Sequence, residues 1–146
     1  SFSFKKLLNS NESVLIDLQV IDPLQNLHLL FTKMISAGCE EKVMHSLTEI
    51  IQMYAKEIKA VESTVWSGRS ADQRKLIKMR VAKLNINLKE IILSLHDLVR
   101  QALLEKEKRN EEIISKIRNN LERIFKAETD SEPFQNKLEP FWPLLG

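Results

Sequence analysis

The stretch Ser70–Leu104, SADQRKLIKMRVAKLNINLKEIILSLHDLVRQALL, decides the fold. It opens on Ser70-Ala71-Asp72-Gln73, a capping-box pattern in which the Ser and Gln side chains satisfy free backbone N–H groups at a helix start. Ile77, Leu84, Ile91 and Leu98 then recur at intervals of seven, and Val81, Leu88, Leu95 and Ala102 do the same, offset by four. The two series are the d and a positions of a sustained heptad seam. Ile92 and Val99 widen the stripe beyond what a two-stranded coil needs, which points to a bundle. At about 1.5 Å per residue such a helix is roughly 50 Å long.

The rest of the chain agrees with a helical reading. It has 146 residues, of which only 3 are Gly and 4 are Pro, and none of either lies between Arg69 and Glu132. Sheet proteins of this size turn often and build their turns on Gly, Pro, Asn and Asp. A sandwich, a barrel or a doubly wound fold is therefore excluded, and the few Gly and Pro residues act as punctuation. Asp22-Pro23 reads as an N-cap followed by proline at the first helical position. Leu24, Leu27, Leu30, Phe31, Met34 and Ile35 follow at helical spacing, and Gly38 closes the helix. Another helix runs from about Glu40 to Trp66, with Val43, Leu47, Ile50, Ile51, Tyr54, Ile58, Val61 and Val65 on one face and Gly68 as its stop. Upstream, Phe2, Phe4, Leu7 and Leu8 flank Lys5 and Lys6 in a short amphipathic segment. Ser13–Ile21 fits both a strand and a helix turn; a short helix is favoured because no partner strand exists elsewhere.

Beyond Leu104 the seam is lost. Glu105–Glu112 is wholly polar, and apolar spacing resumes at Ile113, Ile114, Ile117, Leu121, Ile124 and Phe125. Ile113 lies eleven residues past Ala102, a stutter in the repeat. The chain either continues as a projecting rod or turns near Lys108–Asn110 and packs back; the need for a fourth wall favours the turn. Glu128–Glu132 reads as an acidic linker. Pro133, Pro140 and Pro143 rule out a regular α-helix in the tail, whose Phe134, Phe141, Trp142, Leu144 and Leu145 are costly to expose; the tail is expected to dock, on its own bundle in preference to a partner or a neighbouring domain. The expected fold is all-α: an antiparallel bundle of about four main helices with an N-terminal helical segment (residues 1–127), then a linker and an extended, docked tail (residues 128–146).

The chain carries no GxGxxG, P-loop, HExxH or GxSxG pattern, and the expected function is non-enzymatic, with no cofactor and no metal. Glu41, His45 and Glu49 share a helix face, but one opposite Val43 and Leu47 and so turned to water. Cys39 is the only cysteine, so no intrachain disulfide forms; this favours a reducing, intracellular setting, cytoplasmic rather than nuclear. A helix N-terminus nearby can lower a thiol pKa, but no His is adjacent in sequence and Cys39 is read as an incidental thiol. Asn11-Glu12-Ser13 matches a glycosylation sequon. A chain beginning Ser1-Phe2 is expected to be part of a longer protein.

Charge is more telling. The chain has 22 Lys+Arg and 20 Asp+Glu, a net +2, which by itself selects no partner. Yet Arg69, Arg74, Lys75, Lys78, Arg80, Lys83 and Lys89 fall within 21 residues whose only acid is Asp72. On a helix they are expected to occupy the outer face, away from Ile77, Val81 and Leu84. The sequence thus predicts a protein-interaction (adaptor or scaffold) domain. It would dock another protein by a helix face or by its tail, with Arg74, Lys75, Lys78 and Lys89, or Phe141 and Trp142, in contact. Alternatives are an anionic membrane surface or nucleic acid on the basic face of residues 69–89, self-association along the long helix, and carriage of an apolar ligand inside the bundle. No aromatic residues interleave with the basic cluster, which argues against single-stranded nucleic acid.

Overall fold

The heptad spacing of Ser70–Leu104 becomes one 33-residue helix in the computed structural model, which describes residues 4–17, 23–63, 68–128 and 137–145. Five helices follow in chain order: α1 Phe4–Asp17, α2 Pro23–Ser36, α3 Glu41–Glu62, α4 Ala71–Leu103 and α5 Glu111–Glu128. Two short 3-10 helices, Lys106–Lys108 and Glu139–Leu145, complete the chain. No strand occurs among the described residues. The fold is all-α and the helices pack against one another.

The start of α4 follows its sequence closely. Ser70 Oγ accepts from the Gln73 N–H at 3.2 Å, and Gln73 Oε1 accepts from the Ser70 N–H at 2.9 Å. Gly38 and Gly68 adopt φ of 70° and 84°, the left-handed conformation that an L side chain resists and a helix stop requires. α2 begins at Pro23; its expected cap, Asp22, lies outside the described residues, as do Val65, Trp66 and Phe134. α3 ends at Glu62 with Ser63 as its C-cap, short of the expected Trp66, so Gly68, several residues further on, is not the residue that closes it.

The structure refines the expectations for the N-terminus, the turn after α4 and the tail. The expected N-terminal helical segment is a single helix of 14 residues, as long as α2. It packs on α2 and α3, with Leu15 buried and Leu7, Leu8 and Val14 against the core. Its Asn11 is fully buried and donates through Nδ2 to Thr48 Oγ1 at 3.1 Å, so the sequon is closed to a glycan in the folded chain. The chain turns back after α4, as expected, and the turn that includes Lys108–Asn110 opens earlier, at Leu104. It needs neither Gly nor Pro, because side chains take over the helix ends. Arg109 donates to the carbonyls of Leu104 and Ala102, both at 3.3 Å, and Gln101 Oε1 accepts from the Asn110 N–H. Asn110 Oδ1 then accepts from the N–H groups of Glu112 and Ile113 at 3.1 and 3.2 Å, capping α5. Finally, residues 139–145 are a 3-10 helix rather than an extended strand of chain. Proline fixes φ near the value a 3-10 turn uses, and the wider spacing of Pro140 and Pro143 leaves the Phe141 N–H free to donate to the Leu138 carbonyl at 3.0 Å.

Helix α4 lies at the centre of this arrangement, in contact with α2, α3, α5 and the 3-10 helix. Its buried apolar residues are Leu84, Leu88, Ile91, Ile92, Leu95, Leu98 and Val99. Leu27, Leu30, Phe31 and Met34 of α2, Leu47, Ile50, Ile51 and Tyr54 of α3, and Leu121, Ile124 and Phe125 of α5 belong to the same core. The Tyr54 and Phe125 rings meet edge to face at 6.5 Å, joining α3 to α5.

Leu88→Ala, which removes a fully buried side chain from this seam, is expected to lower unfolding stability by about 2–5 kcal/mol. Leu76→Ala, two heptads or so earlier on the same helix but on its exposed side, should stay within about 0.5 kcal/mol of the parent. Urea denaturation followed by circular dichroism distinguishes the two.

Candidate interaction surface

A helix can be covered only as far as its neighbours reach. Gln101 meets Asn110, Ser94 meets Asn120 at 3.2 Å, and Glu90 meets Arg123 at 3.9 Å, so α5 runs antiparallel along α4. Continued at the same register, Glu128 at the end of α5 falls near Asn85, about a turn and a half past Glu90. The first buried residue of α4 is Leu84; none of the positions 71–83, roughly 20 Å of helix, is buried. Ile77 and Val81, which the heptad pattern assigns to the core, are only half-buried there.

This section of α4 holds most of the basic cluster. Arg74, Lys75, Lys78 and Lys83 are exposed, whereas Arg80 and Lys89 are half-buried. The cluster does not keep to an outer face, contrary to the sequence reading. Arg80 lies three residues after Ile77 and four before Leu84, at the border between their side of the helix and the outer one. The basic residues therefore surround the first turns of α4 rather than lining one edge. Among them stand large apolar side chains that the sequence reading passed over: Leu76 is 64% exposed, Met79 58% and Ile86 56%. Their signal was present as a second series with 3-4 spacing, hidden behind the stronger a/d seam on the opposite side.

The tail pair is placed differently. Phe141 is fully buried, with Leu138 beside it in the core. Ser46 Oγ donates to the Lys137 carbonyl, and Lys137 Nζ pairs with the Glu49 carboxylate, so both contacts run to α3. Trp142 is half-buried beneath the Arg118 guanidinium of α5, 4.7 Å from the ring centroid. A cleft of about 320 Å³ lies beside it, lined by Glu122, Phe125, Lys126, Leu138, Glu139 and Trp142. Phe141 reaches a partner only if these contacts open. The structure thus does not bring the two halves of the expected site together: the basic residues stand on α4, the aromatic pair between α3 and α5.

The remaining polar candidates carry no assembled chemistry. Glu41, His45 and Glu49 are exposed, as their face predicts, and Glu49 is engaged by Lys137. Among the described residues no group of three or more His, Cys, Asp or Glu could hold a metal ion. No helix among them is long and apolar enough to cross a membrane. At Cys39 burial pushes the thiol up to about 11, because the thiolate loses solvation that the start of α3 does not replace. His96 on α4 is held below its ordinary 6.5, first by burial and then by Lys33 across on α2; Arg100 adds to this and Asp97 opposes it.

Comparison of the chain with protein-family models, with curated proteins and with solved structures gave no match in any of the three.

Two measurements follow from the perturbed groups. Iodoacetamide should alkylate Cys39 at pH 8 roughly 100-fold more slowly than an unperturbed thiol, with the normal rate restored in urea. As pH falls below 6.5, the unfolded chain protonates its His96 equivalent before the folded chain does, so stability is lost between 6.5 and the lowered folded value. His96→Gln should therefore show a smaller drop in urea midpoint between pH 7 and pH 5.5 than the parent protein.

Proposed function

We propose that this chain is a non-catalytic interaction domain that docks an acidic partner protein on the projecting N-terminal section of α4. One observation carries the reading: Leu76 and Met79, among the most exposed large apolar side chains, stand within a segment holding seven basic residues and one acid between Arg69 and Lys89. Scattered exposed apolar residues need no explanation, but an apolar row framed by charge of a single sign combines area to bury with a selector for the partner's sign. The core is built elsewhere. Leu84 and the residues after it hold α4 in the bundle, so the section before it is available for binding without loss of the fold.

The finer architecture belongs to the same reading. In it, α2 to α5 act as an antiparallel four-helix frame, α1 closes one side, and residues 137–145 act as a docked strap between α3 and α5. The intracellular, cytoplasmic setting suggested by the single cysteine completes the picture.

A photo-crosslinking amino acid in place of Met79, with one in place of exposed Lys116 on α5 as the control site, tests the proposal in cells that express the protein. The expected result is a protein crosslinked from position 79 and not from position 116, through an acidic segment, with yield falling at least tenfold in Lys75→Glu/Lys78→Glu. Equal yields from both positions, or no effect of the charge reversal in a folded variant, would overturn it.

A further inference from the structure

The exposed side of α4 carries a register of its own. Leu76, Met79, Lys83, Ile86, Glu90 and Leu93 follow one another at alternating steps of three and four, the spacing that keeps a seam facing a partner helix. All six are exposed, Leu93 marginally at 37%. With Leu76, Lys83 and Glu90 at a and Met79, Ile86 and Leu93 at d, the flanking g positions are Lys75, Ala82 and Lys89. The flanking e positions are Arg80, Asn87 and Ser94. Every charged flank is basic.

From this register, and resting on the reading of α4 as a docking surface, we infer that the partner presents an acidic amphipathic helix that pairs with α4 along this second seam. The charges choose the occupant. A second copy of the chain brings like charges together in either orientation. Parallel pairing sets Lys75 against Arg80 and Lys83 against Lys83; antiparallel pairing sets lysine flank against lysine flank. A helix with Glu at its e and g positions reverses each of these contacts and also offers a carboxylate to Lys83. A lipid surface fits less well. The apolar row is narrow, has no aromatic residue and is broken by Lys83 at its middle, whereas interfacial helices bury a broad apolar face with Trp, Phe or Leu. Near Glu90 the seam is bordered by α5, whose Arg123 reaches Glu90. The open length is therefore greatest from Leu76 to Ile86, about three turns, which suits a reversible complex rather than a permanent one.

The test uses the whole chain and three probes measured by fluorescence anisotropy or co-sedimentation. The first is a labelled 28-residue peptide with Ile at a, Leu at d and Glu at e and g. The second is the same peptide with Lys at e and g, and the third is vesicles of phosphatidylcholine with 30% phosphatidylserine. The expected result is saturable binding of the Glu peptide only, weakened at least tenfold by Ile86→Asp or by Met79→Asp. Both variants alter exposed positions, and circular dichroism with a urea midpoint confirms that they remain folded. Lys75→Glu/Lys83→Glu should lose the Glu peptide and gain the Lys peptide. The inference is overturned by equal binding of both peptides, by insensitivity to both Asp variants, by binding of vesicles and neither peptide, or by a dimer of the chain that Ile86→Asp dissolves. Failure of the Glu peptide while position 79 still crosslinks a salt-sensitive acidic protein removes the helical partner and leaves the docking surface. Failure of both removes the surface as well.

Discussion

The arrangement depends on a mismatch of length. Helix α4 has 33 residues, whereas the helices beside it have 14, 22 and 18. At about 1.5 Å per residue, roughly 50 Å of helix meets neighbours of roughly 21, 33 and 27 Å. Burial of apolar area stabilises the C-terminal two-thirds of α4, where Leu84 to Val99 sit in a common core. The remaining third is covered less: Ile77, Arg80 and Val81 are half-buried and the other side chains from Ala71 to Lys83 face water. Fold and surface are thus allotted to different parts of one helix.

How much of this could be read beforehand varied with the physics involved. The start of α4 and the stop of α2 were legible because they rest on local chemistry: the Ser70/Gln73 exchange, and the left-handed Gly38. The inner seam was legible because burial imposes a period on sequence. The point at which burial weakens was not, since Ile77 and Val81 continue the period while only half-buried. Periodicity reports which side of a helix faces inward, but not how fully that side is covered. The bend at Leu104 was expected a turn too late for a related reason. Glu, Lys and Arg are good helix formers, so nothing in their propensities ends the helix. Its ending rests on Gln101, Arg109 and Asn110 acting together across the bend, a tertiary device that leaves no mark within one turn of sequence.

The candidate surface was half-legible. The basic cluster was evident from composition, but its confinement to one face was not, because the seven residues are spaced around the helix. Leu76, Met79 and Ile86 were overlooked because an apolar residue outside the main seam has no assigned role until exposure is known. The aromatic tail pair shows the converse. Phe141 and Trp142 were candidates because an apolar tail needs a cover, from its own bundle or from a partner. The contacts of Lys137 with Ser46 and Glu49 and the Arg118–Trp142 stack tie residues 137–142 to α3 and α5.

The capping box at Ser70 and Gln73 has a consequence for recognition rather than for folding. An uncapped helix end that extends past its bundle frays, and a partner that binds a frayed segment must first order it, at about 1–2 kcal/mol for each residue fixed. Here the free end is already closed by two reciprocal hydrogen bonds, and the interval from Ala71 to Lys83 contains no Gly or Pro to loosen it. The row of Leu76, Met79 and Ile86 is held in its final spacing before anything arrives. For the proposed partner, association would then be close to rigid docking, because the entropy that a disordered basic segment loses on binding is here lost when the chain folds.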